Sequence, residues 1–442
     1  SRMRQASETP PYPEVSVDLA LSMPAAARPA SPPVRPTAFS PEEEIAHGPA
    51  LWLWDYLRRS GAGGFFLPLS GGSDSASVAM IVAALCHRLA ERVRREAAAS
   101  GGDATEGDTP GEGETQQVTR DLRRVLGLGQ DQDPPDDPRA LAGRLLTTAY
   151  LPTRVSGDAS RERARAVARA VGADHLEVDV QAAVDALASA SGSAALDPDD
   201  APLRFAGEGG DASDQRALEN LQARTRMVTA YLLAQRAPKL RGVRGPRLVL
   251  AAANVDEALV GYVTKYDAGA ADLNPIGGVA KTDLRRFLAW ARDALDAPDL
   301  DAVLQAVPSA ELAPADEHGE QSDEREIGLT YEELSVLGRL RAEERCGPLE
   351  AFERARLAWP ERTAGEVAER VKRFYRAYAL HRHKATVATP SVHLEAYAPS
   401  DRRFDLRPYL IDPAWRWAFR AIDRKLHEGE PVPENAREDA DR

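Results

Sequence analysis

Three features of this sequence predict an α/β fold, a doubly wound parallel sheet. The first is an apolar run, Phe65-Phe66-Leu67-Pro68-Leu69, that stops at Ser70-Gly71-Gly72-Ser73-Asp74-Ser75 and passes into an apolar helix. Such a run is long enough for one buried strand of a parallel sheet. The second is the strand–helix–strand order through residues 145–180, which places helices on both faces of a sheet. The third is that polar clusters follow the predicted strand ends, where open α/β sheets place ligands.

Composition narrows the function. The 442 residues carry a net charge of -13, which argues against a nucleic-acid or membrane-surface protein. No apolar run approaches the roughly 20 residues of a membrane span, and the N-terminal residues lack the apolar core of a signal peptide. Only two cysteines occur, Cys86 and Cys346, so a disulfide framework is excluded and a reducing compartment, by default the cytoplasm, is expected.

Residues 1–40 are rich in Pro, Ala and Ser and read as an extended linker, the tail of something longer. Ser40-Pro41-Glu42-Glu43 then opens a helix with a capping serine, a first-turn proline and a third-position glutamate. Ile45, Leu51, Leu53, Trp54 and Leu57 give that helix its apolar side. After the glycine loop, Ala76–Leu89 is helical, with Val78, Ile81, Val82, Leu85 and Leu89 at core spacing and Cys86 among them. Residues 100–117 are a low-complexity, mobile insertion. Leu145–Pro152 is a second strand, Ser160–Val171 a helix, and His175–Val180 a third strand. A second insertion, 190–214, precedes a helix over Leu218–Gln235 that presents Leu218, Leu221, Val228 and Leu232 on one side. Leu248–Ala252 is a further buried strand, 311–326 an acidic, solvated insertion, Ala364–Tyr378 a helix, and 426–442 a disordered tail.

The candidate chemistry begins at the glycine loop. Two glycines allow a sharp turn that presents backbone N–H groups at a helix N-terminus, a place where phosphate is stabilised. Ser70, Ser73 and Ser75 add hydroxyls, and Asp74 offers a carboxylate to a divalent cation. The bland alternative is a glycine turn capped by serine. The absence of a Gly-Lys-Ser/Thr ending argues against a Walker loop. Asn254-Val255-Asp256-Glu257 follows the fourth strand, so Glu257 could complete a magnesium site with Asp74. Lys265, Asp267, Asp272 and Lys281 come within the next two dozen residues; each alone is an ordinary surface charge, and together they favour a site.

SGGSDS resembles the loop of the ATP-pyrophosphatase (adenine nucleotide α-hydrolase-like) superfamily. With LENLQARTRM, NVDEALVGYVTKYDAGAADLNPIGGVAKTDLR, PSAEL, QSDEREIGLTYEEL and RFYRAYALHRHKA in this order, the chain resembles the synthetase domain of the eukaryotic, glutamine-dependent NAD synthetases over about residues 10–425. The resemblance implies a synthetase domain over 41–425 with a helical C-terminal extension. It implies that ATP activates the carboxylate of nicotinic acid adenine dinucleotide as an acyl-adenylate, which ammonia converts to NAD. This asks for positioning and charge neutralisation rather than a nucleophile–base pair.

By the same resemblance, Ser70, Gly71, Gly72, Ser73, Asp74 and Ser75 hold ATP phosphates, with Ser70 and Asp74 at the chemistry. Asp74 and Glu257 bind Mg2+. Lys281 and Ser309 contact ATP, and Arg224, Lys265, Asp272, His383 and Lys384 contact the dinucleotide. Ala252 departs from a family Thr or Ser, and Ser309 from a Thr. A homo-oligomer built from dimers is implied. The nitrilase-type glutaminase that accompanies the family needs a nucleophilic Cys, and neither cysteine has that setting. The chain is therefore expected to lack that half and to use free ammonia or a separate partner. Two other readings are a related amidotransferase or tRNA-thiolating enzyme, against which GYVTKYDAGAADLNP stands, and a nucleotide-binding scaffold without catalysis, against which Asp74, Glu257 and Lys265 stand.

Overall fold

Ser40 caps the first helix reciprocally: its hydroxyl accepts the Glu43 N–H at 3.2 Å, while its own N–H donates to the Glu43 carboxylate at 2.8 Å. The computed structural model describes residues 38–100, 116–192, 203–242, 244–309, 311–314, 322–387, 389–394, 397 and 411–428. Most of the expected linker and tail, and parts of all three insertions, lie outside these. The first helix, α1, is Pro41–Ser60. It buries Ile45, Leu53, Trp54 and Leu57, but Leu51 is half exposed and does not belong to its core face.

Strand β1 is Phe65–Pro68, followed by α2 (Ser73–Ser100), α3 (Gln117–Leu126) and α4 (Pro138–Leu145). Next come β2 (Leu146–Tyr150), α5 (Asp158–Val171), β3 (Asp174–Glu177), α6 (Gln181–Gly192), α7 (Ala212–Leu240) and β4 (Leu248–Val249). All pairings are parallel, Phe65 opposite Leu146 and Leu248, and Thr147 opposite Asp174. The regular third and fourth strands are shorter than their expected runs, although single backbone bonds continue past them, from Val178 to Tyr150 and from Leu250 to Phe66.

The strand order is β3-β2-β1-β4. The chain moves outward from β1 to β3 and then crosses back to the other side of β1. That reversal opens a crevice at the C-terminal ends of β1 and β4, the place where such sheets bind ligands. The sheet is covered on both faces: Phe65 and Leu67 join a core with α1, α2 and α5, while Phe66 joins a second core with Met227, Ala230 and Ala234 of α7.

Helix α7 corrects two expectations. It starts at Ala212, inside the segment read as an insertion, because Asp211 caps it by accepting the N–H groups of Ser213 and Asp214. Its buried face carries Leu218, Met227, Ala230 and Ala234, whereas Val228 and Leu232, expected on the apolar side, are 70% and 52% exposed.

The C-terminal part is helical, as expected: α8 (Val255–Val260), α9 (Lys281–Ala294), α10 (Asp301–Leu304), α11 (Asp323–Ile327), α12 (Tyr331–Ala342), α13 (Pro348–Ala358), α14 (Ala364–Leu380) and α15 (Arg416–Glu428). A third core joins α8 to α12, α13, α14 and α15 through Leu259, Leu337, Phe352, Phe374 and Phe419. The acidic insertion is not wholly solvated, since Asp323 is buried. The tail expected to be disordered from residue 426 instead continues α15 as far as Glu428.

Candidate functional site

At the end of β1 the chain turns through Gly71, whose φ is +82° and whose missing Cβ would lie 2.2 Å from the carbonyl oxygen of Ser160. Only glycine satisfies both conditions. Arg163 fixes the turn from outside by donating to the Gly71 carbonyl at 3.0 Å. Ser70 and Ser75 hydroxyls meet at 3.0 Å across the loop, and the Gly72 N–H points at the Ser70 hydroxyl. The loop thus leads the first-turn amides of the long helix α2 into the crevice, an arrangement that favours an anion.

Asp74, in the first turn of that helix, faces the end of β4. Its Oδ2 lies 2.5 Å from the Lys281 ammonium, and Lys281 in turn lies 3.5 Å from the Glu257 carboxylate. Asn254, fully buried, stands between them: its amide approaches Asp74 at 3.4 Å and its oxygen caps α8 by accepting the Glu257 N–H. Tyr331 donates to Glu257 at 2.8 Å and lies 3.2 Å from Asp323, while the Tyr262 hydroxyl lies between Asp323 and Glu326. One lysine therefore faces three carboxylates in a largely buried cluster. Burial, reinforced by Asp74 and Asp323, pushes the Glu257 carboxyl above its ordinary range against the pull of Lys281. Burial opposes the Lys281 charge, yet the carboxylates prevail and hold its pKa above the usual value.

The residues suit a divalent cation. Oδ1 of Asp74 is buried without a hydrogen-bond partner, and the cluster carries an excess of negative charge. Among the described residues no group of three or more metal-ligating side chains occurs. An ion held by Asp74 and Glu257 would draw its other ligands from phosphate and water, as magnesium commonly does.

Beside this cluster, Ala253 and Ala258 form one wall of a cavity otherwise lined by residues of the 263–274 loop, with Lys384, Thr389 and Ser391 from the distant C-terminal region. The Thr389 hydroxyl lies 2.6 Å from the Gly269 carbonyl, and the Asn274 N–H donates to the Pro390 carbonyl at 2.9 Å. Asp267 folds the loop by accepting the N–H groups of Thr264 and Gly269.

The predicted residues divide. Ser70 to Ser75, Asp74, Glu257 and Lys281 converge on the crevice, and Lys265 and Lys384 line the cavity. Lys384 is spent on the loop itself, donating to the carbonyls of Gly261 and Val263 at 2.6 and 2.7 Å. Arg224, exposed on α7, donates to the carbonyl of Lys265. Asp272 lies outside the cavity lining and serves the sheet: it accepts the Val249 N–H at 2.8 Å and pairs with the Tyr231 hydroxyl at 3.3 Å. His383 is exposed, with its ring centroid 6.4 Å from that of His381. Ser309 accepts the Glu311 N–H at 3.3 Å, and Glu311 binds Ser160, whose carbonyl abuts Gly71. Ala252 packs half-buried against the main core.

Sequence reasoning gave no role to Asn254, Asp256, Asp323 and Tyr331. Asn254 carries a readable signal, a capping residue after a strand. Asp323 sits in an acidic run, where pattern predicts solvent. Neither cysteine offers a thiolate: burial pushes Cys86 up to about 12, and burial together with Glu350 raises Cys346. No helix among the described residues is long and apolar enough to cross a membrane.

A profile of the NAD synthase family matches residues 138–373. Glutamine-dependent NAD(+) synthetases from Drosophila melanogaster and Homo sapiens are each 44% identical, over 98% and 96% of this chain and 52% and 57% of their own length. The chain thus spans about half the length of the curated relatives it matches. A solved glutamine-dependent NAD(+) synthetase from Cytophaga hutchinsonii shares the fold, with a TM-score of 0.65 at 24% identity over 87% of this chain and 56% of that one.

Proposed function

The chain belongs to the NAD synthase family, and on that premise we propose that it amidates nicotinic acid adenine dinucleotide to NAD, consuming ATP and releasing AMP and pyrophosphate. The observation that carries this reading is one crevice in which the α2 amides, the Asp74–Lys281–Glu257 cluster and the cavity share the 253–258 segment. In the first step a nicotinate oxygen attacks the α-phosphorus of ATP and pyrophosphate leaves. Loop amides from Gly72 to Ser75 and the Lys281 ammonium take up the charge on the departing phosphates. Mg2+ on Asp74 and Glu257 would neutralise phosphate charge. In the second step ammonia attacks the acyl carbon and AMP leaves. Cavity residue Lys265 holds the dinucleotide against a wall that Lys384 shapes through its bonds to the Gly261 and Val263 carbonyls, with Arg224 at its rim and its carboxylate toward Asn254; His383 extends these contacts, and Ser309 contacts ATP. Orientation of the two reactants supplies most of the acceleration.

The same reading makes residues 41–425 the synthetase domain and pairs copies of the chain as dimers. Exposed Val228, Leu232 and Leu240 along α7 support such pairing. Two free cysteines fit a reducing cytoplasm.

The nitrogen source supplies the test. With both thiols held protonated, this chain is expected to make NAD from ammonium salts, more readily as pH rises and frees ammonia, and almost none from glutamine. Purified chain supplied with ATP, magnesium, the dinucleotide and each nitrogen donor decides it. Absence of NAD with ammonium overturns the reading; robust synthesis from glutamine alone overturns the assignment of the nitrogen source.

A further inference from the structure

Lys281 is gripped at both ends by one dipeptide. Its ammonium faces the Glu257 carboxylate at 3.5 Å, and its backbone N–H donates to Oδ2 of Asp256 at 2.8 Å. Asp256 is fully buried, and a carboxylate in such a place is costly unless donors meet it. The contact also answers a need of α9. Its N-cap position is Ala280, which has no side chain able to cap, so a first-turn amide would otherwise be left without a partner. Asp256 provides the cap from 25 residues away in sequence, its carboxyl oxygen accepting the first N–H of the helix. A second tie, the Val255 N–H to the Val279 carbonyl at 3.2 Å, lies beside it. These two bonds close the neck of the 257–280 loop, the loop that supplies most of the cavity wall.

We propose that Asp256 is a positioning residue for the nucleotide step: it anchors the first residue of α9 so that the Lys281 ammonium lies between Asp74 and Glu257. The claim rests on the reading of Lys281 as a nucleotide contact. Lysine has four rotatable bonds and finds a given place only when its backbone is held and its partners converge. Asp256 supplies the first condition, and Asp74 and Glu257 the second. Removing Asp256 leaves Lys281 present and charged but frees its root.

The sequence holds only six lysines, so ε-13C-lysine labelling of the full chain gives few signals, and the one lost in Lys281→Met is Lys281. In Asp256→Ala that signal is expected to shift, kcat/KM for ATP to fall at least tenfold, and the Michaelis constant for the dinucleotide to change less than threefold. Asp256→Asn, whose carbonyl oxygen can accept the same N–H, is expected to restore the signal and to bring kcat/KM within threefold of wild type. In a Lys281→Met background, Asp256→Ala is expected to cost less than twofold more. An unshifted lysine signal with wild-type ATP constants overturns the proposal. So does an equal loss with and without Lys281, which would mark Asp256 as a stabiliser of the fold only. Should Asp256→Ala not fold, Asp256→Ser carries the test, because its hydroxyl falls one bond short of the N–H; an unshifted signal there is equally fatal. The spectrum does not depend on turnover. A chain that made no NAD would defeat the proposed activity and leave the positioning claim to be decided by the lysine signal.

Discussion

Lys281 and Lys384 serve adjacent walls of one crevice, yet their ammonium groups are spent on opposite kinds of partner. Lys281 lies among carboxylates, which hold its pKa above the ordinary value despite burial. Lys384 donates to the carbonyls of Gly261 and Val263. Burial, with Arg216 and Arg224 nearby, lowers its pKa although Asp267 pulls the other way. The first region is an ionic cluster whose side chains can exchange partners when a phosphate or a cation arrives. The second is a loop shaped by charge-assisted bonds to backbone, where a lysine already has most of its donors engaged. Losing a residue from the first should abolish chemistry in a folded protein. Losing one from the second should loosen a binding wall.

The largest expected effect lies in the ionic cluster. Asp74→Asn and Glu257→Gln should each lower NAD-forming turnover by orders of magnitude while the protein stays folded, because uncompensated phosphate charge weighs on every step. Steady-state rates at ordinary magnesium concentrations check this; near wild-type turnover in either variant removes that residue from the cluster's proposed role. The loop region should respond differently. Lys384→Ala removes hydrogen bonds of a charged donor worth roughly 1.5–3 kcal/mol, discounted for its partial exposure. It should raise the Michaelis constant for the dinucleotide about tenfold and leave that for ATP nearly unchanged. Titrations in which the ATP constant moves instead would erase the distinction between the two lysines.

A smaller effect separates the loop from the sheet beneath it. Asp272→Ala leaves the Val249 N–H without its side-chain acceptor, a loss of about 1–3 kcal/mol. Denaturant melts should show it as lower stability, and ligand constants measured on the folded fraction should stay within a few-fold. A specific rise in the dinucleotide constant would return Asp272 to the binding wall. The smallest effect is a pH dependence at the same loop. His381 packs against Gly261, and burial, with Lys384 and His383 adding to it, pushes its pKa down to about 4. The folded state therefore favours the neutral ring. Its contribution to stability is present above pH 6.5 and is lost as pH falls from there toward 4. Stability measured across that range should be flatter in His381→Gln than in wild type, and identical slopes would deny His381 this role.

How much of this was legible beforehand depends on whether the deciding contact is local. The capping box at Ser40, the glycine turn at Gly71 and the buried run at Phe65 are matters of neighbours in sequence, and they stand where the pattern puts them. Phe65 and Phe66 point to opposite faces because a strand has period two, so coverage on both sides followed from four residues. Lys281 and Glu257 were readable as polar groups after a strand end. Their meeting with Asp74 required the reversal in strand order that brings the ends of β1 and β4 together.

Sequence by itself determined the class of fold, the place of the glycine turn and the types of charged group near it, since these rest on periodicity, backbone freedom and capping. Tertiary structure alone decided which charges are buried and what they hold. An acidic run does not reveal that Asp323 will be covered while other residues of it face water, because burial is imposed by the tyrosines of other segments. Two large apolar residues do not reveal that α7 will turn Val228 and Leu232 outward, because the sheet packs against the face of Met227, Ala230 and Ala234. Nor does Lys384 disclose that its ammonium will shape a loop more than 100 residues earlier. Those outcomes depend on desolvation and close packing between distant segments, quantities that no short window of residues contains.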